Sequence, residues 1–187
     1  MRLKNKLLLA FLGLGVIPAV LIAVVSLGMA SSALEQQAYN QLTSIKEIKK
    51  QQLHNYFNQT KSDLVMAVEE WRTVNNQENN KNVVATAHSN HHYFKKFIDT
   101  YHYYDLFLIS ASGDVFYTVT KESDYQTNVV NGLYKDSGLG RIFHKVVQSN
   151  VFAMEDFSPY APSNGEPAAF IAQPIIENGK IVAVMAL

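Results

Sequence analysis

An α+β protein carried on an N-terminal membrane helix is predicted by three observations. Residues 7–30 form a charge-free run of 24 residues, residues 34–71 contain neither Gly nor Pro, and from Asp105 the apolar residues switch to a period of two. The expected architecture is a transmembrane helix, a long stalk helix with a return helix, and then a five-stranded antiparallel sheet.

In the first segment Ser26 is the only plainly polar side chain. At about 1.5 Å per residue such a helix crosses a roughly 30 Å hydrocarbon core with room to tilt. Arg2, Lys4 and Lys6 precede it, and no Lys or Arg follows until Lys46. The positive-inside rule then leaves the N-terminus cytoplasmic and residues 31–187 extracytoplasmic. A cleaved signal peptide ending at Ala30 or Ala33 is the rival reading, but its apolar core would be only about 7 to 15 residues long. Pro18 is tolerable within a membrane helix. Gly15, Ala19 and Ala23 form a small-residue stripe suited to close helix contact, or simply reflect how common small residues are in spans.

Leu34, Ala38, Leu42, Ile45 and Ile48 step at threes and fours, and Leu53, Tyr56 or Phe57, Leu64, Val68 and Trp71 resume the stripe. A helix of this length needs a partner along one side: a second helix, a sheet, or the same helix of a second subunit. Asn at 75, 76, 79, 80 and 82 predicts a loop over 75–82, followed by a return helix over 83–101. His88, His91 and His92 fall on that helix. They lack the Glu of a metallohydrolase signature, so surface or interface histidines are expected rather than a metal site.

Residues 105–110 read as a strand, 111–114 as a turn and 115–120 as its antiparallel return. A polar loop over 121–134, a short amphipathic helix over 138–148 and a strand over 151–157 follow. Residues 158–167, with three prolines and a glycine, read as a rigid loop. The last hairpin pairs 168–175 with 181–187 about Glu177, Asn178 and Gly179. One sheet face is expected to be packed by helices and the other to be open, leaving a loop-covered pocket for a small molecule.

Formal net charge is zero, from 16 basic and 16 acidic residues. Beyond residue 30 there are 13 basic against 16 acidic, so the body is not a polyanion binder and no nucleic-acid partner is expected. Cys is absent, which excludes disulfides, thiolate metal sites and cysteine nucleophiles.

The run 103–120, YYDLFLISASGDVFYTVT, is followed by KESDYQTNVVNGLYKDSGL and, at 156–175, DFSPYAPSNGEPAAFIAQPI. Together these resemble the extracytoplasmic sensor of bacterial methyl-accepting chemotaxis proteins, a sensor also found ahead of histidine kinase and cyclase-type outputs. LTSIKEIKKQQLHNYF, at 42–57, resembles the first periplasmic helix of the same family. The resemblance implies a Cache-type, PAS-like sensor at the bacterial inner membrane, with a helical dimerising stalk, working in chemotaxis signal transduction. The implied division is a cytoplasmic flank (1–6), a transmembrane helix (7–30), a periplasmic helical stalk and hairpin (31–101) and the sensor module (102–187). Only some 30 residues separate Trp71 from Tyr103, fewer than is usual in the family. The chain stops within an apolar strand, so a second span and a cytoplasmic output are expected downstream of a fragment.

The pocket and the resemblance together nominate Asp105, Tyr117, Lys121, Asp124, Asn128, Tyr134, Lys135, Asp156 and Tyr160 as ligand-binding residues. Asp136 is a further candidate. A small amino acid or organic acid would want a cation for its acid group, Asp for an amine, and aromatic walls. Structural roles compete: Asp136 as a helix cap, Asp156 as a brace of the proline-rich loop. No catalytic motif is present. Glu155 and Asp156 are adjacent in a strand and point to opposite faces. No cofactor is implied. The expected partners are a second copy of the chain, a small polar metabolite and the membrane; the alternative functions are the sensor of a histidine kinase or cyclase, or a non-enzymatic structural dimerisation module without ligand.

Overall fold

The computed structural model describes residues 3–77 and 83–187. The fold is α+β, with four α-helices, one 3-10 helix and five strands among the described residues. It divides into a unit ending at Tyr56 and a second unit running from Phe57 to Leu187.

The described residues of the first unit are all helical. They belong to α1 (Leu3–Gln77), which continues without a break through Pro18. From Leu3 to Tyr56 every residue except Gly13 is exposed among the described residues, including Leu34, Leu42, Ile45, Ile48 and Leu53. The helix is long and apolar enough to cross a membrane. α1 runs on through Gln77, so residues 75–77 of the expected loop are helical, and 78–82 lie outside the described residues.

In the second unit the last turns of α1 bury Thr60, Asp63, Leu64, Ala67, Val68 and Trp71, as the three- and four-residue spacing requires. The expected return helix is two helices, α2 (Val83–Ser89) and α3 (His91–Tyr101). The break is at Asn90, whose Nδ2 donates to the Thr86 carbonyl at 2.8 Å, a local bond that competes with helix continuation.

The sheet comprises β1 (Phe107–Ser110), β2 (Val115–Thr118), β3 (Ala153–Pro159), β4 (Pro167–Glu177) and β5 (Lys180–Ala186). All its pairings are antiparallel, in the order β2-β1-β5-β4-β3. This order is consistent with the Cache/PAS-like fold that the resemblance implies. The β4–β5 hairpin turns at Asn178 (φ 48°) and Gly179 (φ 75°), the left-handed pair that a two-residue turn demands. β1 starts at Phe107, so Asp105 precedes the strand it was expected to begin. β3 extends to Pro159, and a 3-10 helix (Ala161–Ser163) occupies what was expected to be irregular loop.

The expectation of one open sheet face is wrong. Leu106, Leu108, Tyr117, Ile175, Ala183 and Met185 pack with Leu64, Trp71 and Phe94 from α1 and α3. Phe107, Ile109, Phe170, Val184 and Ala186 pack on the other side with Leu139, Ile142, Phe143 and Val146 of α4 (Gly138–Ser149). The chain leaves β2 at one edge and re-enters at β3 on the other, so α4 is carried across the face in between. Strands buried on both sides read as continuous apolar runs, which is what 106–109 and 181–187 are. Ser137, rather than Asp136, caps α4: its hydroxyl accepts from Gly140 N at 3.3 Å.

Candidate functional site

Asp105 stands where the chain enters β1 and is 3% exposed. Its Oδ1 accepts from the backbone N–H of Leu106 (2.6 Å), Val119 (2.9 Å) and Thr120 (3.2 Å), and its Oδ2 from the Thr120 hydroxyl (2.5 Å). Burial raises its pKa, and these four bonds oppose the rise. The carboxylate therefore ties the start of β1 to the end of β2.

Beyond Thr120 the chain leaves the sheet through Lys121, held at φ 56° with its N–H donating to Thr118 Oγ1 at 2.6 Å. Two acids of the following loop reach the segment after β3. Asp124 Oδ2 accepts from the Tyr160 hydroxyl at 2.6 Å. Glu122 accepts from Ser163 Oγ at 2.9 Å and, through its other oxygen, from the Tyr104 hydroxyl at 2.5 Å. These bonds join the 121–134 loop, the β1 entry and the 158–167 segment. The aromatic body of Tyr160 rests edge-on against Phe170, 5.0 Å between centroids.

Asp124 is wholly buried, and its Oδ1 has no hydrogen-bond partner among the described residues. Burial pushes its pKa up to about 6; the Tyr160 bond opposes this, and the charges of Asp105 and Glu122 add to it. The Tyr160 phenol is itself raised, first by burial and then by the Asp124 charge. Chemically this is a buried carboxyl that holds its proton up to about pH 6, beside a phenol that stays protonated.

The structure brings Asp105, Asp124 and Tyr160 together. It places the other nominated residues elsewhere. Tyr117 belongs to the core on the α1–α3 side, where its hydroxyl meets His91 Nδ1 at 3.0 Å and His88 and His91 pack edge-on to its ring. Lys121 is exposed, its ammonium 5.9 Å from the Tyr125 ring centroid. Asn128 braces the β1–β2 turn, donating to Asp114 (2.8 Å) and the Ser112 carbonyl (3.1 Å). Tyr134 donates to Ser123 at 2.8 Å, and Lys135 is exposed. Asp156, also exposed, accepts from the N–H of its own neighbour Phe157 at 2.7 Å.

Sequence reasoning missed Glu122, Ser163, Tyr104 and Thr120. The one signal was the spacing of Glu122 and Asp124, two residues apart at the start of a loop. Their hydroxyl donors come from 18 to 41 residues away along the chain. His88 closes α2 while His91 and His92 open α3, and among the described residues no group of three or more His, Cys, Asp or Glu is placed to hold a metal.

No family model and no curated protein matches this chain. Among solved structures, the histidine kinase DctB sensor domain of V. cholerae is similar, at 17% identity and a TM-score of 0.41. The similar region covers 66% of this chain and 41% of that one, so this chain spans less than half of that structure's length.

Proposed function

We propose that this chain is the membrane-anchored, extracytoplasmic sensor region of a chemoreceptor, which recognises a small polar metabolite and, in the complete protein, signals across the membrane. One observation carries the reading: the helix that contains the apolar span is the same element that supplies Leu64, Val68 and Trp71 to the core beneath the sheet. A change in that core is thereby connected covalently to the span. The motifs at 103–139 and 156–175 support the sensor class, and a histidine kinase sensor fits them equally well. The three basic residues ahead of the span favour a cytoplasmic N-terminus. The region is proposed to work as a homodimer through the exposed stripe of α1 and without catalysis.

A structural dimerisation module is the second reading. It is favoured by the two covered sheet faces and by Asp105, whose carboxylate is engaged by Leu106, Val119 and Thr120.

The deciding experiment is a thermal-shift screen of amino acids and organic acids on the full chain in detergent, with calorimetry on any hit. A ligand at a hundred times its Kd that binds only the folded state adds ~2.7 kcal/mol of apparent stability. A broad screen without saturable binding to folded protein would exclude the sensor reading and leave the structural one.

A further inference from the structure

The 121–134 loop and the 158–167 segment meet through Asp124 with Tyr160 and through Glu122 with Ser163, and among the described residues no cation pairs with either acid. The titratable groups that face Asp124 are Tyr160 from the start of the 3-10 helix, Asp105 from the β1 entry and Glu122 from its own loop. None of these carries positive charge. Lys121, close by in sequence, lies over the Tyr125 ring instead. Ionised, Asp124 would be a buried charge with one oxygen unpaired among the described residues and two further carboxylates nearby, an arrangement that favours either protonation or exposure to water. Protonated, it accepts a weaker bond from Tyr160 but no longer carries the buried charge or the repulsion.

We infer that the buried seat of Asp124 beside Tyr160 is a proton-controlled latch: protonation removes the buried charge and lets the 121–134 loop lie on the 158–167 segment. Loss of the proton, although it strengthens the Tyr160 bond, favours release of the carboxylate into water. The released loop exposes the Asp124 carboxylate to water, where its affinity for the proton returns to that of an ordinary acid. By linkage the ratio of open to closed loop then rises as pH rises. The latch is independent of whether the chain binds a metabolite, since it uses only groups of the chain itself.

The test uses the full chain in detergent. Hydrogen-exchange protection factors, which are corrected for the intrinsic pH dependence of exchange, are compared for the 121–134 loop and for α4 at pH 5 and pH 7.5. Loop protection is expected to fall about tenfold over that interval, the linkage result for an acid raised from its ordinary value to about 6, while α4 stays unchanged. In Asp124→Asn, which is neutral at every pH, the loop should keep its pH 5 protection at pH 7.5. A pH-independent loop in the wild type, or a loop in Asp124→Asn that still opens with pH, overturns the latch.

Should Asp124→Asn fail to fold, Tyr160→Phe keeps the ring against Phe170 and removes only the hydroxyl. The Tyr160 bond favours the ionised form, so losing it should move the carbon-13 titration midpoint of the Asp124 carboxyl upward from its wild-type position. A wild-type midpoint below pH 5, or one that Tyr160→Phe leaves unchanged, also overturns the proposal.

Discussion

Asp63 on α1 accepts a 2.8 Å hydrogen bond from the hydroxyl of Tyr103, forty residues further along the chain. The same carboxylate accepts from Gln59 Nε2 at 2.7 Å, one helical turn earlier. Asp63 is buried, so the pair fixes the last turns of α1 to the segment entering β1 and keeps an ionisable group solvated by the protein. The ring of Tyr103 meanwhile stacks on Phe97 of α3, 5.9 Å between centroids.

Tyr103→Phe is expected to cost about 1–2 kcal/mol in urea unfolding, because a hydrogen bond to a buried carboxyl group is lost while ring packing survives. Asp63→Ala removes both bonds and should cost at least as much. If Tyr103→Phe unfolds with the wild-type midpoint and slope, the contact contributes nothing to stability.

Stability should also depend on pH in a direction the buried acids set. The folded-state pKa of Asp124, about 6, exceeds its ordinary value of 3.8, so its contribution is fully present below about pH 4 and lost as pH rises through 6. Asp105 acts in the same direction, its pKa raised by burial. Glu155 acts in the opposite direction. Lys145 and Arg141 hold its carboxyl below its ordinary value, so its contribution is present above that value and lost as pH falls through the lowered one. Unfolding free energy measured from pH 5 to pH 7.5 should therefore drop by about 1.4 kcal/mol through Asp124 alone. Asp124→Asn should flatten that slope; an equal slope in the variant would assign the effect to other groups.

Single cysteines on α1 test the homodimer. Leu42, Ile45 and Ile48 belong to the exposed apolar stripe, whereas Lys46 and Lys50 fill its polar side. In membranes, Leu42→Cys, Ile45→Cys and Ile48→Cys should oxidise to disulfide-linked dimers several-fold more readily than Lys46→Cys and Lys50→Cys. A flat profile would exclude a symmetric contact along this stripe.

The helices and turns were legible in the sequence because their signals are local. The absence of Gly and Pro over 34–71, the spacing of Leu64, Val68 and Trp71, and Asn178–Gly179 between two apolar runs each act within a turn or two of chain, and each element formed as read. Even the two-sided burial of the sheet was written in the uninterrupted apolar residues of 106–109 and 181–187, although they were read as facing one layer. The candidate site was a different matter. Asp105, Asp124 and Tyr160 were nominated from their chemistry and do come together, but Tyr117, nominated on the same grounds, lies in the opposite core. A strand's alternation fixes which residues share a face, and only the packing of α1–α3 on one side and α4 on the other decides what each face meets. Glu122 could not be recognised as the partner of Ser163 and Tyr104, because loop 121–134 has no period and its path is set by bonds to residues 18 and 41 positions away. The proton affinity of Asp124 lies wholly beyond the sequence. It depends on removal from water, a phenol at 2.6 Å and two neighbouring carboxylates, all of which arise only when β2 and the segment after β3 are brought together in the folded chain.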